Sequence, residues 1–348
     1  MEKIILSTYT FLPDIGGVAT NTLTIAEAFI AKGYDVTVVT LTTECCEYDN
    51  RMKIVRAPNF LQLVKLYLSA DWILFSNLST KLCWPAVLIN KKFALHHHSS
   101  SAFNNSTPSG VIQIIKRLIE NKVSAKSIHF VNSEFTKKDG GAFFDNLKTY
   151  LTYPIVQNTK VTTDIVDIYA SKKNALFVGR IETEKGVSFL LENFEFIKKY
   201  LNIDSLSFAG DGSLLKSLKE KNIKGIEFVG AVDLTTVHQM MRKSAYVLIP
   251  SIWNEPFGMV AVEGLASGSV VISSDKGGLP EAVGNHAALF DFDSTESFID
   301  ALKEAESIRE RCIVDSERLL NYVESVNEHM DAFSKSNVIN IMINALME

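Results

Sequence analysis

The sequence predicts an α/β protein made of two parallel-sheet domains, and three observations predict it. A strand–helix–strand unit occupies the first 41 residues. A second one runs from Val247 to Ser274. Such units build parallel sheets, because the crossover helix returns the chain to the start of a neighbouring strand. The length, 348 residues, is enough for two domains of ordinary size, and a hydrophobic content of 47% supplies cores for both.

Ile4 to Thr8 is the opening strand. Residues 11–19 form a loop ending near Gly16 and Gly17, a helix follows from about Thr20 to Ala31, and Gly33 stops it. Two glycines before a helix can present bare amides to an anion, and a plain turn is the alternative. They do not form the dinucleotide fingerprint, which excludes a dinucleotide dehydrogenase. Val36 to Leu41 and Ile54 to Ala57 are strands. Phe60 to Leu68 is strongly apolar, with Lys65 its only charge. Trp72 to Ser76 is a strand. The next, from Phe93, runs into His96, His97, His98, Ser99 and Ser100. Chemistry in an open parallel sheet gathers at the carboxyl ends of strands. Adjacent strand residues point to opposite faces, so the three histidines cannot all face one way. A zinc site would want a further ligand at a suitable spacing, and none stands out. Hydrogen bonding to a ligand and a structural role both remain open. From Val111 to Val123, apolar residues 111, 112, 115, 118, 119 and 123 form a stripe, with Lys116, Arg117, Lys122 and Lys126 off it. That stripe suits packing on the chain's own sheet or contact with a membrane surface. Ser127 to Ser133 is a strand leading into a loop, Ser133 and Glu134 start a helix, and residues 150–156 close the domain. The polar run from Gln157 to Tyr169 reads as a linker.

Asn174 to Ile181 is a strand that runs into Gly179 and Arg180. Glu182 to Gly186 makes a turn, and a helix begins near Val187. Arg180 and Lys185 stand five apart at a strand's carboxyl end, where two cations could hold a diphosphate. Surface ion pairing is the plainer alternative. Strands at 205–209 and 226–230 each end in a glycine turn, and a helix spans 232–243. Val247 to Pro250 is a short strand. Pro256 precedes a helix that starts near Phe257 or Gly258, runs to about Ser267 and stops at Gly268. The start of this helix offers unpaired amides and the positive end of a dipole. Glu255 precedes the start, and Glu263 lies four residues after Met259, on the same face. A carboxylate there can accept from both hydroxyls of a vicinal diol, as in a ribose. A solvated surface charge is the alternative for each glutamate. Val270 to Ser274 is a strand, Gly277, Gly278 and Pro280 make a turn, and Ala287 to Phe290 is a last short strand. A helix capped near Ser294 runs to Glu310, and 312–348 reads as helical throughout.

The net charge of −5 argues against a nucleic-acid partner. It is uneven: residues 1–170 carry 17 Lys and Arg against 14 Asp and Glu, whereas residues 171–348 carry 18 against 26. A mildly basic first domain suits an anionic surface or acceptor. The four cysteines include the adjacent pair Cys45 and Cys46, a poor disulfide, so a reducing cytoplasm is expected. No apolar run approaches the roughly 18 residues of a membrane span. The opening strand comes too early for a signal peptide.

Several of these residues also form an ordered set. Val178-Gly-Arg-Ile181 with Lys185 and Gly186, Ala209-Gly-Asp-Gly212, Phe228-Val-Gly230, Glu255-Pro-Phe-Gly-Met-Val-Ala-Val-Glu263, Ala266-Ser-Gly268 and Gly277-Gly-Leu-Pro-Glu281 resemble the retaining GT-B glycosyltransferases of family 4, the glycosyl transferases group 1. Pro13-Asp-Ile-Gly-Gly17 and Val131-Asn-Ser-Glu-Phe135 are similar to that family as well. The resemblance implies the GT-B fold, two Rossmann-like domains with parallel sheets facing across a cleft. It implies an acceptor-binding domain at 1–165, a nucleotide-sugar domain at 166–315, and C-terminal helices at 316–348 that cross back to the first domain.

It further implies transfer of a hexose or N-acetylhexosamine from a UDP- or GDP-linked donor to a glycan or lipid-linked glycan, with the anomeric configuration kept. Arg180 and Lys185 would grip the diphosphate, with Gly179 and Gly212 beside them. The amides of Phe257, Gly258, Met259 and Val260 would hold the distal phosphate and sugar. Glu255 would contact sugar hydroxyls and Glu263 the ribose. Gly16 and Gly17 would close on the phosphate or acceptor, and His96 or His97 would contact the sugar near the reacting carbon. No metal or other cofactor is implied. The expected location is the cytoplasm, with peripheral contact to an anionic inner membrane face as an additional partner; oligomeric state is left open. A phosphorylase or epimerase on the same fold, and a catalytically silent binding or scaffold protein, are the rival readings. The junction Val156-Gln-Asn-Thr159 departs from the family's Asn-Gly-Val-Asp, and Gly268-Ser-Val-Val271 from its Gly-x-Pro-Val.

Overall fold

The computed structural model describes residues 2–14, 16–44, 52–99, 110–157, 160–162 and 173–348. The chain divides into two compact units, Met1–Ile155 with Phe333–Glu348, and Val156–Ala332.

The first unit holds seven strands: β1 (Lys3–Thr8), β2 (Asp35–Thr40), β3 (Lys53–Arg56), β4 (Trp72–Ser76), β5 (Lys92–His97), β6 (Ser127–Val131) and β7 (Thr149–Leu151). They pair in the order β3-β2-β1-β4-β5-β6-β7, every pair parallel. The order reverses between β1 and β4, which opens a crevice at their carboxyl ends. Among the described residues this part of the chain has the α-helices α1 (Gly17–Ala31), α2 (Phe60–Ser69), α3 (Thr80–Cys83), α4 (Val111–Ser124) and α5 (Glu134–Asp139). α2 starts on a capping box in which Asn59 and Gln62 satisfy each other's backbone amides. α1 has no such cap, since Gly16 precedes it and its first turn carries no acid.

The second unit holds β8 (Asn174–Val178), β9 (Ser205–Ala209), β10 (Ile226–Gly230), β11 (Tyr246–Ile249), β12 (Val270–Ser274) and β13 (Ala287–Phe290). Their order is β10-β9-β8-β11-β12-β13, again parallel, so the reversal lies between β8 and β11. β11 and β12 are buried along their whole length, which is why Tyr246–Ile249 and residues 270–272 read as apolar runs. The helices are α6 (Val187–Glu192), α7 (Phe194–Leu201), α8 (Leu215–Lys219), α9 (Leu234–Arg242), α10 (Met259–Ala266), α11 (Leu279–Val283), α12 (Thr295–Val314) and α13 (Ser316–Asp331). The last helix, α14 (Lys335–Met347), returns to the first unit.

The division differs in detail from the sequence expectation. The first unit ends at Ile155, and the expected boundary at 165 lies outside the described residues, as do residues 158–159 and 163–169 of the linker. The tail consists of two helices, α13 and α14. Asp315 accepts from the amides of Glu317 and Arg318 and caps α13. α13 stays with the second unit, where Tyr322 donates to the His286 carbonyl. Only α14 crosses back, and it buries Val338, Ile339, Met342, Ala345 and Leu346 against one face of the first sheet. Cys83 and Cys312 are buried thiols, while Cys45 and Cys46 lie outside the described residues. Among the described residues no helix is long and apolar enough to cross a membrane.

Candidate active site

In the second unit the loops after β8 and β11 meet at the strand-order reversal. Lys185 Nζ lies 2.5 Å from Glu255 Oε1, although the two are 70 residues apart. Ser251 Oγ donates to the same oxygen at 2.6 Å, and Lys185 also sits over the Trp253 ring, 5.2 Å from its centre. Both charges are largely withdrawn from solvent, so neither is screened as an exposed pair would be. An ammonium has three donors, and the Glu255 bond uses one. The amide of Ile252 donates to the Glu184 carbonyl and ties the two loops together. Arg180 is placed differently. It is exposed and pairs with Glu184 at 2.8 Å in its own loop.

Two glycines make this approach feasible. Gly186 has φ +69°, and a Cβ there would lie 1.8 Å from the Pro250 carbonyl oxygen. Gly277 has φ +66°, and its Cβ would meet the Glu255 carbonyl oxygen at 2.3 Å. No other residue fits either place. Gly179 and Gly212 lie on neighbouring strips, where Gly179 donates to Ala209 and Ile181 to Asp211.

α10 starts at Met259 behind Gly258, with no side-chain cap and no acid in its first turn. Phe257 is buried, so a ligand here meets backbone rather than that ring. Met259 and Val260 are half-buried in the first turn, whose amides have no carbonyl within the helix to bond. Glu263 is one turn on, at a small cavity lined by Gln157, His238, Arg242, Ala266 and Ser267. Burial pushes its carboxyl up to about 7.

In the first unit the histidines divide by strand alternation. His97 Nε2 lies 2.9 Å from His129 Nδ1, the two rings are stacked, and Phe143 and Phe144 close over them. His129 Nε2 contacts the Ser124 carbonyl at 3.0 Å, which demands a proton on that nitrogen. His97 therefore donates to His129, and burial holds its pKa well below the ordinary value. His96 and His98 share the other direction, with ring centres 4.3 Å apart. His96 is fully buried, with no partner at hydrogen-bond geometry for either ring nitrogen among the described residues, beside a cavity of about 10 Å³, near the least that admits one water. Burial lowers its pKa to about 4.

His98 lies at the end of a hydrogen-bonded row. Its Nε2 is 2.7 Å from Ser76 Oγ, which is 2.9 Å from Thr22 Oγ1 on α1. Its backbone is clamped on both sides: Asn77 Oδ1 accepts from its amide and Asn132 donates to its carbonyl. Asn77 adopts φ +60°, a left-handed turn that aims its amide group back at His98. Gly16 and Gly17 are exposed at the start of α1, with open space where a Cβ would go.

The structure thus brings Lys185 and Glu255 together and sets Glu263 in a cavity, with Arg180 on Glu184. Both favoured histidines are buried; His97 is turned into an aromatic cluster with His129, and His96 faces the other way beside His98. His98 was named among the three histidines but not favoured, and Ser76 and Thr22 were not singled out. One signal was available: residues 20–24 read Thr-Asn-Thr-Leu-Thr inside a helix, and Asn21, Thr22 and Thr24 are all buried. Buried hydroxyls are out of place on a packing face unless something needs them. Among the described residues no group of three His, Cys, Asp or Glu could hold a metal ion.

Comparison with known proteins bears on these arrangements. An uncharacterized glycosyltransferase of Methanocaldococcus jannaschii is 22% identical over 342 residues, covering 81% of this chain and 82% of its own. The lipopolysaccharide 1,2-N-acetylglucosaminetransferase of Salmonella typhimurium is 26% identical over 249 residues, 64% of this chain and 60% of its own. The crystal structure of Anabaena HepE in complex with UDP and glucose superposes with a TM-score of 0.72 at 15% identity and covers 100% of both chains. That likeness is one of fold: two parallel-sheet, Rossmann-like domains of the GT-B type. The family model described as glycosyl transferases group 1 matches residues 161–317, the stretch that carries Lys185, Glu255 and Glu263. Over those residues the second unit matches the glycosyl transferases group 1 family, and the chain is a glycosyltransferase.

Proposed function

We propose that the enzyme moves a hexose or N-acetylhexosamine from a UDP- or GDP-linked donor to a glycan or lipid-linked glycan in surface polysaccharide synthesis, with retention at the anomeric carbon. The buried Lys185–Glu255 pair beside the uncapped start of α10 carries this reading. A diphosphate between them would meet Lys185 and the first-turn amides, with Arg180 reaching in from Glu184. The bond from the anomeric carbon to the diphosphate breaks. The acceptor oxygen bonds the same face of that carbon, and its proton passes to a diphosphate oxygen. The charge gained by the leaving group is met by Lys185 and Arg180, so the reading calls for no metal. Glu255 contacts sugar hydroxyls and Glu263 the ribose. The UDP and glucose in the Anabaena structure and the lipopolysaccharide substrate in the Salmonella name support donor and acceptor classes of this kind.

Calorimetric titration with UDP, GDP, ADP and dTDP tests the donor half. One nucleotide should bind selectively, and Glu263→Ala should weaken it by about tenfold or more, the worth of a charged hydrogen bond. Absence of binding by all four would sink the reading. Binding should also strengthen as pH rises through about 7, where Glu263 becomes the carboxylate that accepts both hydroxyls. Stability without nucleotide should move the other way. Between the ordinary value of 4.5 and about 7, the folded protein keeps a proton that the unfolded chain has lost, so it loses stability as pH rises through that window. Glu263→Gln should abolish both trends.

The reading places the reaction in the cytoplasm, with the first unit resting on an anionic membrane face. Val123 alone of the apolar stripe on α4 is buried; Val111, Ile112, Ile115 and Leu118 are exposed, Ile112 at 83%. α4 packs beside the Trp84–Val87 turn, on whose Trp84 ring Phe60 stacks, and Leu61 and Leu88 add to the same exposed apolar set. Lys116, Lys122 and Lys126 are exposed on or just after α4 and complement acidic lipid headgroups. Co-sedimentation with vesicles containing phosphatidylglycerol should fall several-fold in an Ile112→Glu, Leu118→Glu variant. Equal sedimentation of both proteins would remove the membrane from the reading.

A further inference from the structure

We propose that Thr22 and Ser76 are positioning residues that hold the His98 ring in one tautomer, as an acceptor for a substrate hydroxyl. Thr22 Oγ1 lies 2.8 Å from the Val18 carbonyl oxygen. Two oxygens that close need a proton between them, and only the threonine has one to give. That proton is thereby committed. Ser76 must then donate its own across the 2.9 Å to Thr22 Oγ1. With the serine proton spent, the 2.7 Å contact between Ser76 Oγ and His98 Nε2 requires the hydrogen on the ring nitrogen. The row runs one way, from His98 through Ser76 and Thr22 to Val18, and Nδ1 keeps its lone pair.

Nδ1 makes no hydrogen bond among the described residues, and the His98 side chain is nearly but not wholly buried, at 9% exposure. Burial, with His96 and His97 adding to it, holds the ring neutral. The clamps from Asn77 and Asn132 fix the backbone beneath it. A rigid neutral ring with one uncommitted lone pair accepts from a hydroxyl and repels phosphate, carboxylate and carbonyl oxygens. The ligand class is therefore hydroxyl-bearing. Identifying it as a sugar hydroxyl rests on the glycosyl-transfer reading; the tautomer does not.

Nitrogen-15 histidine spectra of the full chain, with the His98 signals identified by their loss in His98→Gln, test the tautomer. The expected ring is protonated on Nε2 alone. Protonation on Nδ1 would overturn the proposal, whatever the enzyme transfers. Thr22→Val keeps the side-chain shape but frees the Ser76 proton to turn toward His98, so the tautomer should swing toward Nδ1–H. Thr22→Ser should restore it. The same pair tests the consequence. Thr22→Val should lower kcat/KM for sugar transfer about tenfold, the worth of one hydrogen bond, with nucleotide affinity in the second unit unchanged. Thr22→Ser should recover it. A Thr22→Val enzyme with wild-type kcat/KM and an unmoved tautomer would overturn the proposal. A wild-type protein that transfers no sugar would instead defeat the glycosyl-transfer reading and leave the spectra to decide.

Discussion

Lys185→Ala should lower turnover at least about 100-fold while leaving the chain folded, because removing one preorganised charge from a leaving group costs that much or more. The side chain lies in a pocket made by the Trp253 ring and Glu255 rather than in the hydrophobic core, so its loss leaves Ser251 still bonded to Glu255. Nucleotide affinity should fall much less than turnover, since the transition state carries more charge on the diphosphate than the ground state does. Steady-state kinetics beside a calorimetric Kd measure both. Near-wild-type turnover in a folded variant would remove Lys185 from the mechanism. Arg180→Ala should cost less. In the nucleotide-free enzyme Arg180 is exposed on Glu184, and it must be recruited to the diphosphate rather than stand ready.

Gly186→Ala should be among the most disruptive single methyl groups in the second unit. Its backbone is left-handed, which costs a non-glycine residue about 1–2 kcal/mol. The added Cβ would stand 1.8 Å from the Pro250 carbonyl oxygen, so the Lys185 loop or the end of β11 has to move. With a shift of roughly 2–4 °C per kcal/mol for a domain of this size, the melting temperature should fall by about 5 °C or more. Turnover should fall with it, because the displaced loop is the one that presents Lys185. Gly17→Ala is the control. A Cβ there meets nothing within 4 Å, so stability should stay near wild type. Equal melting curves for Gly186→Ala and wild type would show that the loop gives way easily and that its close approach is not what sets Lys185.

The sheet was readable because parallel strands buried on both faces read as near-continuous apolar runs. Val270 to Ile272 and Trp72 to Phe75 are such runs, and each strand continues into the serines at its carboxyl end. Helix boundaries were less legible. α1 begins at Gly17 rather than near Thr20, since a helix can start on glycine when no side chain caps it. The tail read as helical throughout because it lacks glycine and proline, but the breaks within it were not legible: Asp315 and Ser334 each start a new helix through a side-chain oxygen. The meeting of Lys185 with Glu255 could not be read from spacing, as it depends on two strands 70 residues apart becoming neighbours. Strand alternation showed that adjacent histidines part company, but not which face each would take. That is decided by what lies across from them: Phe143 and Phe144 for His97, and Ser76 for His98.

The return of α14 to the first unit reverses the order in which the two units can mature. A growing chain delivers all seven strands of the first sheet before any of the second, yet one face of that sheet still lacks Val338, Ile339, Met342, Ala345 and Leu346. The second unit is continuous in sequence from Val156 to Ala332 and has everything it needs before those residues emerge. The unit synthesised first is therefore the last to close, and its exposed core face is the surface most in need of protection during synthesis.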